Sequence, residues 1–322
     1  MDKNSKIYVA GHNGLVGSAL VRVLLSSGYL NVVTQKRGDL DLTRQLETEH
    51  FFAKEKPDYV FLAAAKVGGI YANNTYPADF ININLAIQQN VINAAYNNGV
   101  KRLLFLGSSC IYPRNCPQPI KEEYLLTGQL EPTNRPYAIA KIAGIEQCWA
   151  FNRQYGTKYL AVMPTNLYGP GDNYDLLHSH VLPALIRKMH EAKKDRRSAV
   201  NIWGTGTPRR EFLYVEDMAN ACVYLMNLPD DKLTHVLDDK TFPPLFNIGC
   251  GYDVTIKDLA MLVKGIVDFS GVLDWDATKP DGTPQRLLNV EKIASLGWKS
   301  KVELHQGIVL TYKAFLEKYI DG

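Results

Sequence analysis

The sequence predicts an α/β chain: a doubly wound parallel sheet with a second, smaller α/β substrate lobe. Three observations predict it. Short apolar runs at 7–10, 31–35, 59–65, 102–106 and 160–163 alternate with helical patterns as far as about residue 165, the rhythm of repeated strand–helix–strand units. The first run leads straight into a glycine-rich loop and then a helical pattern that ends near Gly28. Beyond residue 166 the regular alternation stops, and polar, basic and Pro-containing stretches break the pattern. The expected division is 1–165 for the first domain, with segments near 212–240 and 285–298 returning to it. Residues 166–322 mainly build the second lobe.

The glycine-rich loop reads Gly11-His12-Asn13-Gly14-Leu15-Val16-Gly17. In G-x-x-G-x-x-G spacing the first glycine permits a tight turn, the second lets the backbone approach a pyrophosphate, and the third lets helix pack on strand. The free N–H groups of the helix that follows then face the phosphates. A second strand ends at Lys36-Arg37, where folds of this kind that use NAD often carry an acidic residue for the ribose. A basic residue there pairs with an adenosine phosphate, so Arg37 favours NADP over NAD. Asp39-Leu40-Asp41-Leu42 can border the adenine.

Composition narrows the function classes. The chain has 322 residues, 46% hydrophobic and 21% charged, with a net charge of +3. Nothing in this balance points to nucleic acid or to a membrane surface. The five cysteines, Cys110, Cys116, Cys148, Cys222 and Cys250, are irregularly spaced and include no Cys-x-x-Cys pair. This argues against a disulfide framework or a metal site and for a reducing compartment. The N-terminal residues run into a strand with no signal-type apolar region, and no apolar run reaches spanning length, so a cytoplasmic location is expected.

The fourth strand delivers Leu106-Gly107-Ser108-Ser109-Cys110-Ile111-Tyr112-Pro113, and a helix over 136–155 then carries Tyr137 and Lys141. Four residues apart, these two share one helix face. Thr133 or Asn134 can cap that helix. A strand-end serine with a tyrosine and a lysine forms a proton-handling set. The lysine charge favours the phenolate, and Ser108 can hydrogen-bond a substrate oxygen. A bare Tyr-x-x-x-Lys pair also occurs on any amphipathic surface helix, so the set needs support from the rest of the chain. An extended backbone from Ser108 to Cys110 puts both side chains on one side.

Further along, Pro164-Thr165-Asn166-Leu167-Tyr168-Gly169-Pro170 forms a loop at the carboxyl edge of the sheet, where Asn166 can bond a substrate or cofactor amide or simply close a turn. Trp203 can stack on a base and Arg210 can clamp a diphosphate, with Lys188 and Arg286 adding charge. The alternative is a buried tryptophan with solvated cations.

Taken together, the Gly11–Gly17 loop, Ala63-Ala64-Ala65-Lys66-Val67-Gly68-Gly69-Ile70, the 106–113 stretch, Tyr137-Ala138-Ile139-Ala140-Lys141 and Lys279-Pro280-Asp281-Gly282-Thr283-Pro284 resemble the extended short-chain dehydrogenase/reductase superfamily. The likeness is strongest to the branch that turns GDP-4-keto-6-deoxy-D-mannose into GDP-L-fucose, and it spans nearly the whole chain. It implies a Rossmann-like first domain, NADPH as cofactor and two reactions in one site: epimerisation at C3 and C5, then reduction of the C4 ketone. It also implies that Cys110 is the base and His180 the acid of epimerisation, beside Ser108, Tyr137 and Lys141. By the same resemblance the cofactor is held by 11–17, Arg37, Leu106, Gly107, Ser108, Lys141, Pro164, Asn166, Leu167 and His180. The substrate is held by Asn166, Lys188, Trp203, Arg210 and Asp281. No metal is implied, and a homodimer is expected through the helix bearing Tyr137. One departure stands out: some members carry arginine in the glycine loop where this chain has Asn13. A dehydratase of the superfamily would carry an Asp-Glu pair where Ser109-Cys110 stand; another nucleotide-sugar epimerase/reductase, or a silent NADP-binding sensor, is the remaining alternative.

Overall fold

The computed structural model describes residues 1–176, 179–279 and 281–319. In chain order the first half comprises β1 (Ile7–Ala10), α1 (Leu15–Ser26), β2 (Val32–Val33), α2 (Gln45–Glu55), β3 (Tyr59–Leu62), α3 (Ile70–Thr75), α4 (Pro77–Asn97), β4 (Arg102–Leu106), α5 (Arg135–Tyr155) and β5 (Tyr159–Pro164). The second half comprises β6 (Asn166–Tyr168), α6 (Val181–Lys194), β7 (Ala199–Trp203), β8 (Arg209–Arg210), β9 (Phe212–Tyr214), α7 (Val215–Met226), α8 (Asp230–Leu237), β10 (Leu245–Ile248), β11 (Val254–Thr255), α9 (Ile256–Val267), β12 (Val272–Asp276), β13 (Gln285–Arg286), α10 (Glu291–Ser295) and α11 (Leu304–Tyr319).

The main sheet runs β10-β5-β4-β3-β1-β2, and every pairing in it is parallel. Its strands are apolar on both faces because both faces are covered. Tyr8 and Ala10 point into one core with Phe52, Val91, Phe105 and Ile145, while Ile7 and Val9 point into the other with Leu20, Leu104, Met218 and Phe246. The chain leaves β1 towards β2 and returns on the other side to β3. This reversal opens a crevice at the carboxyl ends of β1 and β3, the place where open α/β sheets bind ligands.

A third core, built from Leu185, Ile186, Met189, Leu259, Val263 and Ile308, joins α6, α9 and α11. Around it lie three small sheets: β11-β8-β13, β12-β7 and β6-β9. All five cysteines are free, and Cys148 and Cys222 are buried in the two cores of the main sheet. The short α3 sits between β3 and α4, and α8 sits between α7 and β10. Among the described residues no helix is long and apolar enough to cross a membrane.

Candidate active site

The glycine loop closes on itself. Gly14 N donates to Gly11 O at 3.0 Å, and Gly11 has φ +84°, a conformation that favours glycine. A Cβ on Gly11 would meet Ala64 Cα at 2.7 Å, and one on Gly17 would meet Gly11 O at 2.1 Å. The small residues after β3 therefore let the two strand ends close at the switch point. α1 has no acidic residue in its first turn, so its free N–H groups face the crevice without competition. His12 Nδ1 is buried with no protein partner. A cradle lined by backbone N–H groups and an unmet ring nitrogen fits a dinucleotide diphosphate.

Asn13 and Arg37 are both exposed at this edge. The charge of Arg37 reaches Asp41, whose carboxyl lies below its ordinary value chiefly because Thr43 hydrogen-bonds it. Leu40 and Leu42 are buried and join the core on one face of the main sheet.

At the end of β4 the backbone departs from the sequence expectation. Ser108 is extended, but Ser109–Ile111 form a 3₁₀ turn, so the alternation argument for Ser108 and Cys110 does not hold. The turn brings the two together by a different route. Hydrogen bonding to Ser108 draws down the pKa of both the Cys110 thiol and the Tyr137 phenol. Burial is the larger effect on each and raises both. Lys141, expected to favour the Tyr137 phenolate, is not among the groups that draw the phenol down: burial and Cys110 raise it, and Ser108 alone lowers it. Lys141 is buried, donates from Nζ to Leu106 O at 2.7 Å, and lies 4.8 Å from the Phe105 ring centroid and 5.9 Å from that of Tyr137. Burial pulls its ammonium down to about 8.

α5 starts at Arg135, with Pro136 in its first turn. Neither Thr133 nor Asn134 caps it: no side chain bonds the helix end, Thr133 Oγ1 donates to Glu131 Oε1, and Asn134 Oδ1 is buried without a partner.

A cleft of about 210 Å³ is lined by Asn166, Leu167, His180, Trp203, Arg210 and Asp281, together with Phe212 and Ile256. Six residues read from the sequence as ligand contacts thus share one wall. His180 precedes the first turn of α6 without capping it, and desolvation lowers its pKa, which makes its protonated form a stronger acid. Trp203 is 65% exposed, so it is not a core tryptophan. Lys188 and Lys279 flank its ring at 5.8 and 5.6 Å. Lys188 also donates to Asn201 O at 3.3 Å. Asp281 accepts from Thr205 N at 3.0 Å and from Thr205 Oγ1 at 2.7 Å. Arg210 Nη1 donates to Arg209 O, leaving the other end of its guanidinium near Gly282. Asn166 is less free than expected, since its Nδ2 donates to Glu211 O at 2.8 Å.

Glu211 is a residue the sequence reading missed. Its fully buried carboxylate accepts from Gly251 N at 2.7 Å and Leu288 N at 3.0 Å, and its carbonyl accepts from Thr165 and Asn166. It fastens the loop after β5, the end of β10 and the segment after β13. A carboxylate set directly before the apolar stretch Phe212-Leu213-Tyr214 was the available signal. Among the described residues no group of three His, Cys, Asp or Glu could hold a metal ion.

The model of the NAD dependent epimerase/dehydratase family matches residues 7–249. GDP-L-fucose synthase 1 of Arabidopsis thaliana is 58% identical over 98% of this chain and 94% of its own. GDP-L-fucose synthase of Escherichia coli K12 is 51% identical over 97% of each. Among solved structures, a GDP-D-glycero-L-gluco-heptose synthase from Campylobacter jejuni, crystallised in the presence of NADPH, superposes with a TM-score of 0.91 at 42% identity, covering 98% of this chain and 99% of that one. The chain belongs to the NAD dependent epimerase/dehydratase family and, within it, to the GDP-L-fucose synthases.

Proposed function

We propose that this chain converts GDP-4-keto-6-deoxy-D-mannose to GDP-L-fucose, by epimerisation at C3 and C5 followed by reduction at C4. The observation that carries the reading is the thiol of Cys110 beside Ser108, Tyr137 and Lys141. A reductase needs the last three; a thiol joined to them suits proton removal from carbons next to a ketone. Both carbons are acidified by that ketone once its oxygen is stabilised, a task for the Ser108 hydroxyl and the Tyr137 phenol. Cys110 as thiolate takes the proton from one face of the sugar, and His180, in the wall of the neighbouring cleft, returns one from the other. Tyr137 holds its proton, which suits it to protonate the C4 oxygen. Lys141 steadies the charge that Tyr137 then carries.

NADP is the cofactor we assign over NAD, with 11–17 on the diphosphate, Arg37 towards the 2′-phosphate, Lys141 on a ribose and 164–167 at the nicotinamide end. When bound it supplies the reducing equivalent for C4. Trp203 stacks the guanine, while Lys188, Arg210 and Asp281 bind the nucleotide. In this division 1–165, with 212–240 and 285–298, serves the cofactor and 166–322 mainly serves the sugar nucleotide. The active form is a homodimer joined through the helix that bears Tyr137.

Mass spectrometry of sugar incubated with enzyme in D₂O tests the assignment. Wild-type enzyme is expected to incorporate deuterium at C3 and C5, and Cys110→Ser to slow incorporation at least 100-fold while binding NADPH normally. Wild-type exchange rates in Cys110→Ser would remove the thiol from its role.

A further inference from the structure

We propose that Arg286 is a positioning residue for Cys110: from the substrate lobe it braces the turn that carries the thiol and presents a permanent positive charge to it. This rests on the reading of Cys110 as the base. The two-residue strand β13 pairs in parallel with β8, which sets Arg286 opposite Arg210. The residues on either side of it are pinned. Gln285 Nε2 donates to Asp253 Oδ2 at 2.6 Å, Leu287 N to Gln118 Oε1 at 2.8 Å, Ile120 N to Leu287 O at 2.7 Å, and Leu288 N to the buried Glu211 at 3.0 Å. Residues 285–289 are thus laced to the loop that follows Cys110.

The guanidinium is half-buried, and its Nη1 donates to Ser109 O at 3.4 Å. Ser109 opens the 3₁₀ turn in which Cys110 is the second residue, so a donor on that carbonyl fixes where the thiol points. Among the described residues no carboxylate lies within ion-pair distance of Arg286. The groups facing Cys110 are Ser108 on its own loop, Tyr137 and Lys141 on α5, and Arg286 on β13. Burial raises the thiol, while Ser108, Arg286 and Lys141 draw it down in that order. The charge of Lys141 fades near pH 8, but a guanidinium stays protonated throughout the working range. The thiolate is the form that accepts a proton, so a cation that does not titrate adds to its population at every working pH.

The rival reading gives Arg286 and Arg210 jointly to the substrate diphosphate, since two guanidinium groups in register invite an anion. Alkylation separates the two without substrate. Full-length enzyme is treated with iodoacetamide from pH 6 to 10, and the Cys110 peptide is followed by mass spectrometry. Arg286→Gln is expected to move the Cys110 midpoint up by about one pH unit, and Arg286→Lys to restore most of it. The pH profile of solvent-deuterium exchange should move with it, while the NADPH dissociation constant stays unchanged. Arg286→Met, which keeps the apolar stem, gives the same measurement if the glutamine variant folds poorly. An unmoved Cys110 midpoint, with a raised KM for the nucleotide sugar, would overturn the proposal in favour of the diphosphate clamp. Absence of deuterium exchange in the wild type would instead overturn the proposed function, and the alkylation profile would still report whether Arg286 acts on the thiol.

Discussion

Lys141 is a cation held where water cannot help it. Its ammonium gives one hydrogen bond to the Leu106 carbonyl and lies against the Phe105 ring, and burial brings its pKa down to about 8. The direction has a consequence for catalysis. Below pH 8 the charge is present; as pH rises through about 8 it is lost, and with it the stabilisation of a developing phenolate on Tyr137. Reduction, measured as single-turnover NADPH oxidation, is therefore expected to fall on the alkaline side with a limb near pH 8 in the wild type. Lys141→Met should slow reduction about 100-fold or more at pH 7 and flatten that limb. A limb that persists in Lys141→Met belongs to another group. The Tyr137 phenol cannot supply a limb there, because burial moves its titration upward, away from neutrality.

The glycine loop and the helix after it act as one element, and their tolerance to a single methyl differs sharply by position. A Cβ at Gly17 would lie 2.1 Å from Gly11 O and 2.9 Å from His12 Cα, contacts with backbone that no rotamer relieves. Gly17→Ala is expected to lower stability by about 1–3 kcal/mol and NADPH affinity at least tenfold, since the loop must open to admit it. Gly28, at the far end of the same helix, has φ +83° with open space around it. Gly28→Ala should cost about 1 kcal/mol and leave affinity alone. Denaturant melts and a fluorescence titration distinguish the two; equal losses of affinity would separate the loop from the cofactor. Elements of this kind were legible in the sequence because the constraint is local: glycine spacing, an apolar run and a helix start lie within one stretch. The parallel sheet was legible for the same reason. The 3₁₀ turn at Ser109 was not: Ile111 N to Ser108 O and Tyr112 N to Ser109 O close it without a marker in residue type, and Arg286, which also reaches Ser109 O, is far away in sequence. Neither was Glu211, whose role consists of four hydrogen bonds to segments that the fold alone brings together. The cleft residues fell between these cases. Trp203 and Arg210 could be named from their chemistry, but only the fold shows the tryptophan exposed beside His180.

At the scale of the whole molecule, α4 and α5 pack side by side over one face of the main sheet and turn their other sides outward. On that outer surface Ile139 is 42% exposed, and the small residue Ala150 is exposed three turns further along α5. At the far end Tyr96 of α4 and Tyr155 of α5 stack at 4.3 Å between ring centroids and remain partly open to solvent. Each helix has 21 residues, about 30 Å of length, so two such pairs meeting across a twofold axis would form a four-helix bundle. A twofold contact is self-complementary, and one charge placed in it enters twice. Ile139→Glu puts that charge on the helix of Tyr137 but two residues away, on the side turned from the Ser108 hydroxyl. We expect light scattering to show the wild type at twice the chain mass and Ile139→Glu at the chain mass. NADPH binding should survive, because α1, the helix that follows the glycine loop, packs on the opposite face of the sheet from α4 and α5. A smaller loss in sugar turnover is expected if α5 carries the twofold contact as well as Tyr137, because freeing one end of that helix would loosen the other. A variant that stays dimeric would move the interface off α5, and a monomer with undiminished turnover would show that the site needs no partner to hold Tyr137 in place.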